Sequence, residues 1–420
     1  MRIMLAGTGS GCGKTTLALA LMAALRGRGM TVAPYKAGPD YIDPGFHRLA
    51  CGRVSHNLDE WLCGPEGIRR LLALGGAADI SVVEGATGFY DGLDGGDACS
   101  AYALARHTGT PAVLVVDASG SAASAAAAAL GFMKYRPDHT LAGALVNRVS
   151  GERHYEMVRG ALAEIGLPCV GWLPKDDSLA MPERHLGLVP AEERRQAAAQ
   201  IARAAGLLRL DVDGLMAVAA RAEPARAPAL EYPDALNGRR IGLARDAAFS
   251  FVYEANLIAL RAMGAEIVEF SPLHDAALPE GLDALYLPGG FPEVFGEQLR
   301  ANAAMAASVK TAVEGGLRCY AECGGMLYLA MIGALPLRWR MTGRLRRFGY
   351  VTVVDGDGAA FPAHEFHHSE TEPAAPLPTR FEVRKGERRW REGYIYQNTL
   401  AGYPHLYYFD KPGLAERLFV

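Results

Sequence analysis

The stretch IMLAGTGSGCGKTTLALALMAAL, residues 3–25, decides the fold of the first part of the chain. Its apolar opening predicts a strand, its glycine-rich middle predicts a loop, and the run that starts at Lys14 predicts a helix. Successive backbone N–H groups in such a loop can surround phosphate oxygens at the positive end of the helix. The stretch therefore indicates a phosphate-binding loop between a strand and a helix.

The loop departs from a strict Walker A sequence, which requires glycine where this chain has Thr8, while its first glycine is Gly7. The spacing GTGSGCGKT resembles the dethiobiotin-synthetase-like branch of P-loop proteins, which activate carboxyl-type substrates. Lys14 would contact the β- and γ-phosphates, and Thr15 would bind Mg²⁺. A glycine-rich turn that binds no ligand is the alternative. The loop residues expected to bind ATP are Gly9, Ser10, Gly11, Cys12, Gly13, Lys14, Thr15 and Thr16.

Apolar runs alternate with helical patterns through both halves of the 420-residue chain. In the first half the runs are RIMLAG, DISVVEGA, PAVLVVDAS and LAGALVNRV, and in the second RIGLARD, AEIVEFSP, LDALYLPGG and LRCYAEC. Such alternation is typical of mostly parallel α/β sheets. Between the halves lies a segment rich in Ala, Pro and Arg. We expect α/β domains at 1–216 and 239–420, joined by a linker at 217–238.

Composition limits the function classes. Half of the residues are hydrophobic and the net charge is −3, so the sequence shows no electrostatic signature of binding to nucleic acid or to an anionic membrane. No apolar run has the length of a membrane span or the form of a signal peptide, and we expect a cytoplasmic protein. The seven cysteines are odd in number and form no C-x-x-C pair, which indicates neither a disulfide framework nor a zinc site.

Acidic side chains follow the predicted strands of the first half. Glu84 ends an apolar run, Asp40 and Asp43 lie in YKAGPDYIDPGFH, and Asp91 lies in GFYDG. Ligands of α/β sheets gather outside the carboxyl ends of the strands, so these acids are candidates for metal and substrate contacts. Solvated loop acids are the alternative for each. We expect Thr15, Asp40 and Glu84 to bind Mg²⁺, and Asn147 at another strand end to contact adenine.

The second half contains a candidate nucleophile in YAECGGMLYL, residues 320–329. A strand followed at once by a helix predicts a sharp elbow that exposes the thiol of Cys323, with the N–H of Gly324 available to an oxyanion. His405 could lower the pKa of that thiol, and Gly289 and Gly290 could supply further oxyanion contacts. The alternative is that Cys323 is a small buried apolar residue.

A histidine-rich segment, PAHEFHHSE, matches the H-E-x-x-H spacing of zinc proteases. That motif requires a long helix, and Pro362 with the flanking glycines and prolines leaves no room for one. We therefore do not assign zinc to this segment. Its titratable residues are His364, Glu365, His367, His368 and Glu370.

Seven motifs in this order resemble the cobyrinate/hydrogenobyrinate a,c-diamide synthases of cobalamin biosynthesis: GTGSGCGKTT, KAGPDYIDP, VEGATGFYDG, LPGGFPE, AECGG, HEFHHSE and YPHLYY. The resemblance implies an ATP-dependent synthetase domain followed by a class I-type glutaminase domain. Such an enzyme is a carbon–nitrogen ligase that amidates the a and c carboxylates of a corrin through an acyl phosphate. It implies Mg²⁺, ATP, L-glutamine and a corrin or related tetrapyrrole acid as ligands, and leaves a homodimer open.

The resemblance also assigns roles to individual residues. Cys323 would be the glutaminase nucleophile and His405 its base. Many class I glutaminases carry a glutamate two residues after that histidine, but this chain has Tyr407, so the resemblance implies a dyad or a third member supplied from elsewhere. The residues expected to orient the acceptor carboxylate or to hold metal are Tyr41, Asp43, Tyr90 and Asp91.

Four further functions stay open at this point. A Ni-sirohydrochlorin a,c-diamide synthase or a cobyric acid synthase would share most of these motifs. A partition-type ATPase switch would use the phosphate loop to bind protein or DNA, and would leave the thiol and imidazole without a role. A dethiobiotin-synthetase-like carboxylase-ligase would match only the first half of the chain.

Overall fold

The structure is a computed structural model that describes residues 1–179 and 191–420. Its residues divide into two units. The first contains the described residues up to Ala229, and the second runs from Leu230 to Val420. Between α8 (Val212–Ala219) and the next strand, which starts at Arg240, no described residue belongs to a helix or strand. Helix α8 thus extends three residues into the segment that we assigned to the linker.

A single sheet forms the centre of the first unit. Its strands are β1 (Arg2–Gly7), β2 (Val32–Ala37), β3 (His56–Leu58), β4 (Ile80–Glu84), β5 (Ala112–Asp117), β6 (Leu141–Val149), β7 (Cys169–Pro174) and β8 (Arg209–Leu210). The order across the described part is β3-β2-β4-β1-β5-β6-β7-β8, and β8 alone runs antiparallel to its neighbour. The mostly parallel α/β sheet expected from the sequence is confirmed, with the four predicted strands as β1, β4, β5 and β6.

The helices of the first unit fix the glycine-rich loop. Besides α8 they are α1 (Lys14–Gly27), α2 (Asp43–Cys51), α3 (Glu60–Leu74), α4 (Ala101–His107), α5 (Ala123–Tyr135), α6 (Glu152–Glu164) and α7 (Ala191–Leu207). Leu17, Leu21 and Leu25 of α1 are fully buried and belong to one core cluster with Ile3 and Leu5 of β1. Burial of a leucine side chain contributes about 1.5–3 kcal/mol. This packing holds the two ends of the loop in place.

The second unit has a larger, mixed sheet. Its strands are β9 (Arg240–Ala244), β10 (Glu266–Phe270), β11 (Ala284–Leu287), β12 (Arg318–Glu322), β13 (Leu337–Met341), β14 (Arg347–Val354), β15 (Ala360–His367), β16 (Ser369–Pro373), β17 (Thr379–Lys385), β18 (Arg388–Tyr396), β19 (Thr399–Gly402) and β20 (His405–Leu406). The order in the main sheet is β10-β9-β11-β12-β19-β18-β17-β14-β15-β20, and β13 pairs with β16 apart from it.

Strands from β10 to β19 in that order are parallel, and those beyond β19 are antiparallel. The parallel part contains the four strands predicted for this half, which are confirmed. The antiparallel part was not predicted. The helices of the unit are α9 (Glu254–Ala262), α10 (Gly296–Ala301), α11 (Ala303–Glu314), α12 (Gly324–Met331) and α13 (Pro412–Phe419). No helix in the described part of the chain has both the length and the apolar character needed to cross a bilayer.

Side chains of β12 alternate between two core clusters on opposite faces of the sheet. Cys319 and Ala321 belong to the cluster that also contains α12, whereas Tyr320 packs with Tyr286 of β11 on the other face. Successive residues of a strand point to opposite faces. Glu322, two residues after Tyr320, therefore points to the face that carries the two tyrosines.

Candidate active sites

The loop between β1 and α1 folds tightly around the side chain of Lys14. Its Nζ donates a hydrogen bond of 2.9 Å to the carbonyl oxygen of Gly9, and the side chain is mostly buried. A Cβ atom at position 7 would lie 2.5 Å from Lys14 Nζ and 2.9 Å from Cys12 Sγ, so a side chain at Gly7 would displace the packed Lys14. Gly11 and Gly13 have positive φ angles of 80° and 94°. The chain therefore lacks the Walker glycine at position 8 but has a glycine at position 7, against which the Lys14 side chain packs.

Two residues at the end of β6 brace this loop. The amide nitrogen of Asn147 donates to the carbonyl oxygen of Cys12 at 2.9 Å, and its amide oxygen accepts from the N–H of Arg148. Arg148 also donates to the carbonyl oxygen of Gly11 at 2.9 Å. A Cβ atom on Gly13 would lie 2.0 Å from the Asn147 amide nitrogen. We assigned Asn147 to adenine, but both polar atoms of its side chain contact the chain itself because the amide lies under the loop.

Glu84, at the end of β4, is fully buried at the centre of a polar network. Thr15 Oγ1 donates to Glu84 Oε1 at 2.7 Å, and Lys36 Nζ lies 2.9 Å from the same oxygen. His47 Nε2 lies 2.8 Å from Glu84 Oε2. Burial opposes the charged form, but the Lys36 ammonium and the hydrogen bonds from His47 and Thr15 outweigh it and hold the pKa of Glu84 below its usual range. Glu84 therefore stays ionised beside the phosphate loop.

Asp43, the first residue of α2, belongs to the same network. Its Oδ2 lies 2.6 Å from Lys36 Nζ, and both side chains are buried. Asp40 Oδ1 accepts hydrogen bonds from the N–H groups of Ile42 and Asp43, at 2.7 and 3.0 Å, and so stabilises the start of α2. The half-buried Tyr41 lies between them. The sequence predicts that Asp43 contacts substrate, whereas its contacts show a buried counter-ion of Lys36.

Tyr90 and Asp91 lie in the loop after β4. The Tyr90 hydroxyl donates to the carbonyl oxygen of Phe132 at 2.6 Å, and burial raises the pKa of Tyr90 to about 12. Asp91 is exposed, and its Oδ2 accepts a hydrogen bond of 2.9 Å from the N–H of Gly88. Asp91 therefore has a carboxylate at the surface, where a substrate could meet it. The hydroxyl of Tyr90, the other predicted substrate contact, is bonded to the backbone of Phe132.

Lys36 and His47 were missed by the sequence analysis. Lys36 is the last but one residue of β2, whose other residues are apolar. A lysine at the end of a buried strand was the sequence feature that could have identified it. His47 lies on α2, where its ring bridges Glu84 and Ser55 Oγ, which is 2.9 Å from Nδ1. Nothing in the local sequence pattern distinguished it, because its partners come from distant segments.

A hydroxyl and a carboxylate are suitable ligands for Mg²⁺, which commonly binds one or two protein oxygens together with phosphates and water. Thr15 and Glu84, whose oxygens are 2.7 Å apart, provide this donor set next to the phosphate loop. The described residues contain no group of three or more His, Cys, Asp or Glu side chains arranged to hold a metal. Thr15 and Glu84 therefore fit a cation that the nucleotide phosphates would also bind.

In the second unit, β12 passes into α12 through an elbow at Cys323. This residue has φ 45° and ψ −104°, a conformation that is strained for a residue with a side chain. Its N–H donates to the carbonyl oxygen of Gly402 at 2.7 Å. The strand, turn and helix expected from the sequence are present. Cys323 stands at the start of α12, but the residue is buried, at 6% exposure, whereas the sequence predicted an exposed thiol.

Three glycines surround the elbow at short range. A Cβ atom on Gly289 would lie 2.3 Å from Cε1 of His405, and one on Gly324 would lie 2.9 Å from the backbone nitrogen of Gly290. Each of these approaches is closer than real Cβ contacts allow. The backbones of Gly290 and Gly324 are therefore side by side, next to Cys323. The N–H of Gly324 forms a hydrogen bond with Cys323, and the backbone nitrogen of Gly290 lies close to Gly324.

His405 is buried on the short strand β20, opposite His364 of β15 in antiparallel register. Its Nδ1 lies 3.7 Å from Glu322 Oε2. Tyr407, at the position where a glutamate was considered, is buried with its ring edge-on to Tyr253 at 5.2 Å between centroids. The structure therefore places the imidazole beside Glu322, the residue before the elbow, and beside Gly289, without a carboxylate from position 407.

The thiol of Cys323 differs from the expectation. We predicted that His405 would lower its pKa, but burial raises the pKa of Cys323, and the charge of Glu293 raises it further. A hydrogen bond from the N–H of Gly324 acts in the opposite direction but does not outweigh them. In this state Cys323 is a thiol, so its proton must leave during the attack on a substrate.

A cavity of about 560 Å³ lies in the second unit and includes Tyr403, which directly follows Gly402 in the chain. The ring of Tyr403 stacks on that of His367, with centroids 3.6 Å apart. His367 Nδ1 lies 2.8 Å from the carbonyl oxygen of Ser369, so Nδ1 carries the proton and Nε2 is an acceptor in the neutral ring. The wall also contains Arg347 and Glu392. The cavity thus combines a cation, a carboxylate and a ring nitrogen.

The histidine-rich segment forms the strands β15 and β16 rather than a helix, as the flanking prolines and glycines suggested. Burial lowers the pKa of His364 to about 3 and that of His367 to about 4. Burial raises the pKa of Glu365 to about 8. These groups are therefore neutral over much of the ordinary pH range.

The chain resembles known proteins over both units. Residues 3–189 match the CobQ/CobB/MinD/ParA nucleotide binding domain, and residues 240–413 match the CobB/CobQ-like glutamine amidotransferase domain. A cobyrinate a,c-diamide synthase from Listeria innocua is 39% identical, with 100% of this chain and 98% of that protein aligned. A hydrogenobyrinate a,c-diamide synthase from Streptomyces coelicolor is 38% identical, with 99% and 96% aligned, and a cobyrinate a,c-diamide synthase from Salmonella typhimurium is 38% identical, with 98% and 96% aligned.

Proposed function

Because this chain belongs to the family of cobyrinate and hydrogenobyrinate a,c-diamide synthases, we propose that it converts the a and c carboxylates of a corrin acid into amides. It is a ligase that uses ATP and takes nitrogen from glutamine. The proposal covers the cobalt-containing and the metal-free ring alike, because relatives of nearly equal identity carry both names. A location in the cytoplasm and a homodimer stay predictions from the sequence.

The observation that carries the proposal is the presence in one chain of a braced phosphate loop and a strained cysteine elbow. A partition-type ATPase needs only the loop at Lys14, and gives no reason for the strain at Cys323. Strained backbone at a candidate nucleophile is maintained where the surrounding structure enforces it for a purpose. A ligase with its own glutaminase needs both features.

The first unit would activate the acceptor carboxylate. A carboxylate oxygen attacks the γ-phosphorus of ATP, ADP leaves, and an acyl phosphate forms. Ammonia then attacks the acyl carbon and phosphate leaves, which yields the amide and a proton. The loop N–H groups and Lys14 would neutralise the charge on the transferring phosphoryl group, a task of positioning and electrostatics.

Thr15 and Glu84 would hold Mg²⁺, whose charge would offset that of the phosphate oxygens. Lys36 and His47 keep Glu84 ionised and oriented for this role. Asp40 supports it indirectly, because its hydrogen bonds fix the start of α2 from which His47 projects.

The acceptor carboxylate would bind on the loops beyond β2 and β4. Tyr41 and Asp91 are the proposed contacts there, since Tyr41 is half-buried and Asp91 exposed. Asp43 would act through Lys36, its ion-pair partner, and Tyr90 would shape the loop through its bond to Phe132.

The second unit would release ammonia from glutamine. Cys323 Sγ attacks the carboxamide carbon while its proton passes to His405, and the C–N bond then breaks as ammonia takes that proton. Water next attacks the thioester carbon, the C–S bond breaks, and glutamate leaves while a proton from that water restores the Cys323 thiol. The N–H groups of Gly290 and Gly324 would stabilise the oxyanion, and Gly289 would allow the imidazole to approach. Loss of one such N–H donor typically costs about 2.7–4 kcal/mol of transition-state stabilisation. The head group of glutamine would bind in the cavity beside Tyr403.

The test is incubation with hydrogenobyrinate, cobyrinate and Ni-sirohydrochlorin in separate reactions with ATP, Mg²⁺ and glutamine, followed by mass spectrometry. We expect a doubly amidated product from a corrin acid. Turnover of Ni-sirohydrochlorin alone would reject the proposed substrate. A fourth reaction contains a corrin that already carries the a and c amides, and amidation only there would instead indicate a cobyric acid synthase.

A further inference from the structure

Glu322, the residue directly before the nucleophile, lies beside the imidazole that the proposed glutaminase uses as its base. Its Oε2 is 3.7 Å from His405 Nδ1, and the exposed fractions of the two side chains are 2% and 1%. The distance is that of an ion pair and exceeds a hydrogen bond. In ligand-free enzymes catalytic contacts are often long and shorten when substrate binds.

Three donors fix the carboxylate of Glu322. Tyr320 Oη donates to Oε1 at 2.6 Å, the N–H of Leu406 donates to the same oxygen at 3.1 Å, and Tyr286 Oη donates to Oε2 at 3.0 Å. Burial, followed by the charge of Glu322, raises the pKa of both tyrosines, so their hydroxyls stay protonated as donors. The bond from Leu406 joins the carboxylate to the residue next to His405.

We infer that Glu322 is the positioning residue of the glutaminase, which orients His405 and offsets the positive charge that the imidazole gains from the Cys323 thiol. The inference rests on the proposed function, because it needs Cys323 as nucleophile. A carboxylate at Nδ1 selects the tautomer with the proton on that atom, and leaves Nε2 to accept the thiol proton. Glu322, on the strand before the nucleophile, would thus be the third member of the triad, because position 407 holds a tyrosine.

The proposed role explains why the Glu322 carboxylate is buried although its removal from water costs free energy. A carboxylate withdrawn from water needs either a positive partner or several hydrogen bonds. In the described part of the chain no Lys or Arg forms an ion pair with Glu322, whereas His405 Nδ1 lies within ion-pair distance of it. During attack the thiol proton converts that ring into an imidazolium, and the carboxylate then has a full counter-charge beside it.

The test compares Glu322→Gln with Tyr320→Phe in the full chain, with glutamine hydrolysis and ammonia-supported amidation measured separately. For Glu322→Gln we expect kcat for glutamine to fall about 100-fold, within the range of general-base effects, with an unchanged KM. Ammonia-supported amidation should stay at the wild-type rate. Tyr320→Phe removes one of the three hydrogen bonds to the carboxylate but keeps its charge, and should lower kcat less than Glu322→Gln does, by about 10-fold.

A wild-type kcat for Glu322→Gln, or an equal loss for Tyr320→Phe, would overturn the inference. If Glu322→Gln lowers the unfolding temperature so far that it cannot be assayed, Glu322→Asp replaces it. The shorter side chain keeps the charge but withdraws it from Nδ1, so kcat should again fall with KM unchanged, and a wild-type kcat would overturn the inference. Cys323→Ala in the same assay separates the two proposals. If it stays active with glutamine, the proposed function has failed, whereas an inactive Cys323→Ala beside a fully active Glu322→Gln rejects only the role of Glu322.

Discussion

Gly289→Ala should disable the glutaminase through a single methyl group. The new Cβ would lie 2.3 Å from Cε1 of His405 and 3.2 Å from Cβ of Phe251, whereas ordinary contacts begin at 3.4 Å. The imidazole would have to retreat by about 1 Å, and a displacement of that size at a catalytic group can cost about 100-fold in rate. Retreat is restricted because His405 is buried and its strand is paired with His364.

The assay is amidation of the corrin acid with glutamine or with ammonium chloride as the nitrogen source. We expect Gly289→Ala to lose about 100-fold with glutamine and nothing with ammonia, because the first unit is unchanged. Gly413→Ala is the matched control, since a Cβ there meets no atom within 4 Å, and it should behave as wild type. Wild-type use of glutamine by Gly289→Ala, with an unchanged unfolding temperature, would refute the reasoning about the glycine and the imidazole.

Three further outcomes are expected. Lys14→Ala should remove amidation with either nitrogen source, and surviving activity would mean that the loop is not the phosphate site. Glu84→Gln leaves Lys36 without one of its buried counter-ions and should lower the free energy of unfolding by about 3–5 kcal/mol in urea titrations; a change below about 1 kcal/mol would contradict the network's contribution. The hydrogen bond from Arg380 and its charge lower the pKa of Asp355 to about 2, so this carboxylate stabilises the fold above its unfolded pKa near 4, and the contribution is lost as pH falls towards 2. Unfolding measured at about pH 5 and pH 3 should therefore show a smaller pH effect in Asp355→Asn than in wild type, and equal slopes would contradict the assignment.

Local sequence patterns were sufficient for the parts of the fold that the chain builds from neighbouring residues. The strand, loop and helix around Lys14 follow from apolar spacing and glycine content, and so does the elbow at Cys323. Both depend on short segments in which an apolar run is followed, after glycines, by apolar residues at helical spacing. The parallel strands were found for the same reason, because they are buried on both faces and have continuous apolar runs.

The antiparallel strands of the second unit could not be recognised in this way. The segments RRWREGYIY and TRFEVRK have one exposed face and a high density of charge, so that they resemble surface loops. Alternation is readable only when the inward residues are clearly apolar. In β18 the buried inward position is occupied by Glu392.

The polar networks were beyond the sequence for a different reason. Glu84 was placed at a strand end by the pattern, but its partners Lys36 and His47 come from β2 and α2, and only the folded chain joins them. Spatial pairing likewise decides the role of Glu322, which adjoins Cys323 in the sequence but gains its meaning from His405, 83 residues away. The thiol pKa was predicted in the wrong direction because burial is not visible in a motif.

The most direct test of the central claim is the nitrogen-source experiment on Cys323→Ala, in which corrin amides are quantified with glutamine and with ammonium chloride. The claim is that one site releases ammonia from glutamine and that a second, ATP-dependent site consumes it. It predicts that the variant makes no product from glutamine and the wild-type amount from ammonia. Full activity with glutamine, or loss of both activities in a variant that unfolds at the wild-type temperature, would contradict it.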